Sequence, residues 1–223
     1  MYKPFESIPP QTFLLIIDVQ YDFLPGGALA VKSGDAVIEP INALSRAITA
    51  KGGRAAATQD WHCPGHISFA SSHESKNPGD VLDTAFVRQQ VLWPDHCVQG
   101  TRGAAFHAEL DLNPVSMIIR KGFRQELDSY SAFFENDKVT PTGLDGWMKT
   151  LGIQTVIMGG IATDYCVLYS ALDCKRLGFN VIIASDAVRG VGYPEGSIEK
   201  AITTMKDAGI EISSSKDIID ILK

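Results

Sequence analysis

The sequence predicts an α/β fold: one domain, with a mostly parallel sheet covered by helices on both faces. Near-continuous apolar runs such as Phe13-Leu14-Leu15-Ile16-Ile17 lack a period of two, as expected of strands buried on both faces. These runs alternate along the chain with stretches whose apolar residues fall at helical spacing, the order that builds βαβ units. The 223 residues, 45% hydrophobic and 21% charged, suffice for one sizeable core. No repeat, low-complexity tract or linker divides them, so residues 1–223 read as a single domain.

The first strand runs into Asp18. Gly26-Gly27 then turns the chain, and Asp35 stands where it can cap a helix carrying Val37, Ile38, Ile41, Leu44 and Ile48. Gly52-Gly53 ends that helix, and 54–58 leads as a second strand into Gln59-Asp60-Trp61-His62. From Cys63 to Pro114 the periodicity fades while Pro, Gly, Ser and His accumulate. Loops of that length in a compact domain are functional or disordered, and Phe69, Trp93 and His96 argue against disorder. Regularity returns with a strand at 115–119 that ends at Arg120-Lys121-Gly122. A helix at 144–151, a strand at 154–158 feeding Gly159-Gly160, and a helix at 163–177 follow. The expected closing elements are a strand at 181–184, a helix at 196–207, a strand at 210–212 and a helix at 217–222.

Several function classes are disfavoured. A net charge of −6 lacks the basic excess of a nucleic-acid surface. No apolar run approaches the roughly 20 residues that span a bilayer, and Met1 to Glu6 lacks the apolar segment of a signal peptide. There is no G-x-G-x-x-G or P-loop to hold phosphates. The expectation is a cytoplasmic protein without a nucleic-acid or membrane partner; a homo-oligomer stays open. The four cysteines, at 63, 97, 166 and 174, contain no C-x-x-C pair and read as free thiols.

In a parallel α/β sheet, ligands bind outside the carboxyl ends of the strands. Asp18, Asp60, Lys121 and Cys166 each follow or end a separate expected strand. Each has a mundane reading alone, since a lone cysteine is usually a small buried hydrophobe and a lone charge a solvated loop residue. Together they supply a nucleophile, a base and a charge partner. Cys166 is expected in the first turn of a helix, where free N–H groups and the helix dipole favour the thiolate. The glycine pair before it lets backbone approach closely, so the N–H groups near Ala162 and Cys166 can form an oxyanion hole. Cys174, two helical turns on, is expected to be a packed core thiol.

A second group is Asp60-Trp61-His62. Residues i and i+2 of extended chain point to one side, and His96 can add a third ligand from the long loop. Two imidazoles and a carboxylate suit Zn²⁺, Fe²⁺ or Mn²⁺ in a catalytic site, with His66 as a further ligand or supporting partner. A structural site using Cys63 and Cys97 ranks lower, because neighbours such as His62 and Cys63 face opposite ways in extended chain. Phe23, Trp93 and Tyr130 would supply aromatic walls for a small planar substrate.

These residues fall into an ordered set. It comprises Asp18-x-Gln20-x-Asp22-Phe23, Asp60-Trp61-His62, Trp93-Pro94-x-His96-Cys97, Arg120-Lys121-Gly122, Asp128-Ser129-Tyr130-Ser131-Ala132-Phe133 and Gly160-Ile161-Ala162-Thr163-Asp164-Tyr165-Cys166. The set resembles the nicotinamidases, also called pyrazinamidases, among the isochorismatase-like cysteine hydrolases, and it spans nearly the whole chain. The resemblance implies a three-layer, Rossmann-like fold, a triad of Asp18, Lys121 and Cys166, and a cis peptide between Ile161 and Ala162 that forms the oxyanion hole. It further implies one divalent metal on Asp60, His62 and His96, zinc foremost with iron or manganese as alternatives. Phe23, Trp93, Tyr130 and Ile161 match substrate-pocket positions. The implied reaction is hydrolysis of nicotinamide to nicotinate and ammonia through a thioester on cysteine, with pyrazinamide as a second substrate. The alternatives are another hydrolase of the superfamily, or a metal-binding, redox-sensing thiol protein without turnover.

Overall fold

The computed structural model describes residues 11–222; Met1 to Glu6, read above for a leader segment, lie outside them. The chain runs β1 (Thr12–Ile17), α1 (Ile38–Ala50), β2 (Arg54–Asp60), β3 (Val81–Leu82), β4 (Gln90–Val91), β5 (Val115–Lys121), α2 (Leu144–Thr150), β6 (Thr155–Ile161), α3 (Leu168–Arg176), β7 (Asn180–Arg189), α4 (Ser197–Asp207), β8 (Glu211–Ser213) and α5 (Ser215–Leu222). The main sheet has the order β5-β2-β1-β6-β7-β8, and every pairing within it is parallel.

Side chains of β1 alternate between two cores. Leu14 and Ile16 join α1 and α5 on one face, whereas Phe13, Leu15 and Ile17 join α2, α3 and α4 on the other. All six residues of β1 are buried, which explains its unbroken apolar sequence. Among the described residues no helix is long and apolar enough to cross a membrane.

Several boundaries differ from expectation. The first helix is preceded by a 3₁₀ turn, Gly34–Val37, and neither makes a side-chain cap bond, so Asp35 is no cap. The sixth strand runs past the expected end at 158 and takes in Gly159 and Gly160. The reason is packing: Gly160 has φ 135°, and a Cβ there would lie 2.0 Å from the Ile17 carbonyl oxygen, so β1 and β6 pair closely only with glycine. Beyond it the Ile161–Ala162 peptide is cis. The residues around Cys166 form a π-helical turn, Thr163–Val167, before α3 begins. The long loop carries a small antiparallel ribbon, β3 with β4, which its weak periodicity conceals.

The topology locates the site. From β1 the chain steps outward through β2 to β5, then crosses back to β6 and proceeds outward through β7 to β8. Connections leaving β1 and β6 therefore diverge, and the crevice at their carboxyl ends is the switch point where α/β sheets bind ligands.

Gly160→Ala is expected to cost about 3 kcal/mol or more, because the new methyl meets strand backbone that cannot yield; urea unfolding of variant and parent measures it.

Candidate active site

Asp18 follows β1, Asp60 and Lys121 end β2 and β5, and Cys166 follows β6. Their side chains meet at the switch point. The Lys121 ammonium, fully buried, lies 2.8 Å from Asp18 Oδ2 and 2.6 Å from Asp60 Oδ1. It also donates to the Ser129 carbonyl oxygen at 3.1 Å and to Cys166 Sγ at 3.3 Å. Oxygens of Asp18 and Asp60 and the Cys166 sulfur all fall within 4.8 Å of one another.

Asp18 is set by its backbone and by Thr58. Its φ of 48° is uncommon for a residue with a side chain. The Thr58 hydroxyl accepts from the Asp18 amide at 3.1 Å and donates to Asp18 Oδ1 at 2.6 Å. That leaves Oδ2 on the side of Lys121 and Cys166. Gln20 braces Asp60 in a similar way, donating to its carbonyl oxygen and accepting from its amide, both at 2.8 Å.

Electrostatics separate these groups. Burial would depress Lys121, but the carboxylates of Asp18 and Asp60 outweigh it and keep the ammonium charged. Burial lifts Asp18 to about 6 against the pull of Lys121, with the charge of Asp60 adding to the rise. Asp60 is buried too, yet Lys121 and then His62 hold it below the usual carboxylate range. The Cys166 thiol is pushed well up by burial, which Lys121 opposes without reversing. A helix N-terminus that stores a thiolate is thus not what forms here. The resting group is a buried thiol that needs a base, and the adjacent carboxylate titrates where a base is useful.

The metal candidates converge as well. His62 Nε2 and His96 Nε2 stand 3.7 and 4.0 Å from Asp60 Oδ2. Each ring is oriented by its other nitrogen, His62 Nδ1 on the Gly122 carbonyl at 2.8 Å and His96 Nδ1 on the Pro94 carbonyl at 2.7 Å. Such anchoring of one ring nitrogen frees the other as a ligand. His66 packs against His62 with ring centroids 4.3 Å apart. Its Nδ1 meets Ser68 Oγ at 2.8 Å, while its buried Nε2 has no hydrogen-bond partner. A donor set of two imidazoles and a carboxylate, with an orphaned third imidazole nitrogen beside it, fits a divalent ion. Cys97 is buried and its thiol is pushed up by burial; neither it nor Cys63 is among the described metal-competent groups.

Beside the thiol lies a cleft that opens to solvent. Phe23, Trp93 and Tyr130 line it, as do Asp60, His62, His96, Ala162 and Cys166. Trp93 Nε1 donates to the Tyr130 hydroxyl at 3.1 Å. Ile161 does not line the cleft; its side chain is packed in the core beside Gly34. The sequence reading missed Leu29, Asp128, Tyr165 and Val191 on the wall. Tyr165 and Asp128 sit within quoted motifs and were findable, whereas Leu29 and Val191 carry no local signal. Cys174 is wholly buried with its thiol raised by burial, a core residue as expected.

Residues 12–217 match the isochorismatase domain model. The nicotinamidase of Acinetobacter baylyi is 45% identical over 206 residues, covering 92% of this chain and 94% of that protein. A solved Acinetobacter baumannii nicotinamidase and pyrazinamidase superposes with a TM-score of 0.89 at 44% identity, covering 94% of this chain and 99% of that one. The pyrazinamidase of Pyrococcus horikoshii, solved in complex with zinc, gives 0.74 at 35% identity over 92% of this chain and 99% of its own. The fold and the crevice thus define an α/β hydrolytic enzyme. The chain belongs to the isochorismatase domain family, within its nicotinamidase group.

Lys121→Met leaves two buried carboxylates without their cation and is expected to cost about 3–5 kcal/mol near pH 8. Protonation removes that uncompensated charge, so the deficit should shrink as pH falls toward about 5; urea unfolding of variant and parent across that range reads it.

Proposed function

We propose that the protein hydrolyses nicotinamide to nicotinate and ammonia, with Cys166 as nucleophile, Asp18 as base and acid, and Lys121 as charge partner. The single observation that carries the proposal is the Lys121 ammonium held between Asp18 Oδ2 and Cys166 Sγ, with Asp18 raised to about 6. A carboxyl group so poised can take the thiol proton and later release it.

Asp18 removes the proton from Cys166, and Lys121 compensates the charge on sulfur. Sulfur attacks the carboxamide carbon, and the Ala162 and Cys166 N–H groups receive the oxygen as it becomes negative. Asp18 returns the proton to nitrogen, and ammonia leaves with the C–N bond. Water, deprotonated by Asp18, then cleaves the thioester to nicotinate and the free thiol. Phe23, Trp93 and Tyr130 stack on and frame the flat ring. Asp60, His62 and His96 would hold a divalent ion, which would supply a Lewis-acid anchor for the ring nitrogen; zinc in the Pyrococcus horikoshii relative supports that choice. Pyrazinamide, with the same carboxamide on a similar ring, is a second substrate.

Cys166→Ala is expected to lower ammonia release from nicotinamide by about 10⁴-fold or more without unfolding, whereas Cys174→Ala keeps turnover; an ammonia assay on both variants decides the nucleophile. His62→Ala should lose metal and at least about tenfold of the activity, read by metal analysis of the same samples. Because the base acts deprotonated, kcat/KM should fall with decreasing pH below about 6, as Asp18 takes up a proton.

A further inference from the structure

The turn that carries Cys166 also holds down a loop on the far side of the cleft. Asp164, two residues before the thiol, is buried, and its carboxylate faces residues 191–197. Its Oδ1 accepts from the Val191 amide at 2.9 Å. Its Oδ2 accepts from the Gly192 amide at 2.9 Å and from the Ser197 hydroxyl at 2.6 Å. The next residue adds a fourth tie, since the Tyr165 hydroxyl donates to the Tyr193 carbonyl oxygen at 2.6 Å. Gly190 lets the loop come this close: a Cβ there would stand 3.0 Å from Asp164 Oδ1 and 2.5 Å from the Ile198 side chain.

The held segment, residues 190–193, leaves the end of β7 and reaches across to the other wall. Val191 lines the cleft with Leu29 and Phe23. The Tyr193 phenol covers Gly79, where a Cβ would lie only 2.7 Å from its hydroxyl. Gly79 in turn donates to the Leu92 carbonyl oxygen at 2.8 Å, directly before Trp93. The segment therefore links the turn bearing the nucleophile to the loop bearing the aromatic wall. Nothing in the hydrolytic steps uses Asp164, yet a buried carboxylate with both oxygens engaged is costly to keep unless its partners must be fixed.

We infer that Asp164 is a positioning residue that fixes the 190–193 strap, so that Val191 closes the cleft over the substrate ring and sets its affinity. The role is separable from chemistry. The base is braced by Thr58 and the cation by Asp60 and the Ser129 carbonyl, whereas the thiol shares its turn with Asp164, which is why kcat is read beside KM. Loosening the strap opens one apolar wall and should weaken binding more than turnover. A contact to the ring that is equally strong in ground and transition states appears in KM.

This inference rests on the amide-hydrolase reading, and the test separates the two. Ammonia release from nicotinamide is measured for the parent, for Asp164→Asn, and for Tyr165→Phe combined with Ser197→Ala, which cuts two of the ties and spares the carboxylate. The same proteins are followed by hydrogen exchange at the Val191 and Gly192 amides. The expected result is a KM raised about tenfold for Asp164→Asn, with a smaller rise for the double variant and kcat within about twofold in both. Val191→Ala should raise KM alone, and should add little when combined with Asp164→Asn, because both act through one wall. Exchange at residues 191 and 192 should accelerate in Asp164→Asn. Unchanged protection there overturns the strap, and so does a fall in kcat at constant KM, which would mean that Asp164 acts on the thiol's own turn. A parent that releases no ammonia defeats the substrate reading, and the exchange result then decides the strap by itself. Should Asp164→Asn not fold, the double variant carries both readouts.

Discussion

The Lys121 ammonium is the constraint on which the rest of the crevice depends. It is fully buried and pairs with carboxylates from two other strands, Asp18 after β1 and Asp60 at the end of β2. Removing three charges from water costs several kcal/mol each, and only close, well-directed pairing recovers it. Geometry here is therefore tightly specified: displacing any one strand end strands a charge. The same cation faces Cys166 Sγ, so the interaction that holds three strand ends in register also sets the electrostatic environment of the thiol. Asp60 is the hinge between two chemistries. Its Oδ1 serves Lys121 and its Oδ2 faces His62 and His96. A change beside His62 and His96 is consequently felt at Lys121 and Cys166 through one carboxylate.

Around this cluster lies a layer of neutral braces. Thr58 closes on both the amide and the carboxylate of Asp18, and Gln20 closes on both backbone groups of Asp60. Each brace spans the β1–β2 boundary, its partners 40 positions apart in the chain. These bonds fix rotamers that a base and a ligand need, without adding charge to a site that already holds as much as burial tolerates. The aromatic wall is organised differently. Trp93, Tyr130 and Tyr165 meet edge to face at 4.8 and 5.4 Å, giving a stiff, apolar surface at little conformational cost.

Most of the fold was legible in the sequence because buried parallel strands leave unbroken apolar runs. Apolar periodicity likewise revealed α1. Residues at strand ends were legible as a set because the carboxyl-edge rule converts sequence position into spatial proximity. What escaped has identifiable causes. The glycine pair at 159–160 looks like a turn, since glycine signals backbone freedom without saying whether a turn or a neighbouring strand requires it. Burial reversed the expected state of Cys166, because helix-end stabilisation is a local argument and desolvation is a tertiary one. Leu29 and Val191 reach the cleft from segments that carry no motif, and β3 with β4 are too short to impose a period. The family resemblance implies a pocket position for Ile161, whereas strand alternation turns its side chain into the core.

The strand order has a consequence for how the molecule comes into being. Asp18, Asp60, His62, His96 and Lys121 all precede β6 in the chain, and Cys166 follows it. The first half can assemble β5, β2 and β1 as a sheet, but β1 then presents an open edge until β6 is made and docks. Until that moment the nascent chain holds Asp18, Asp60, Lys121 and the two histidines without the thiol, beside an unpaired apolar strand prone to the wrong partner. The thiol arrives directly after the strand that covers β1. A chain cut short before β6 therefore keeps an open apolar edge and lacks Cys166.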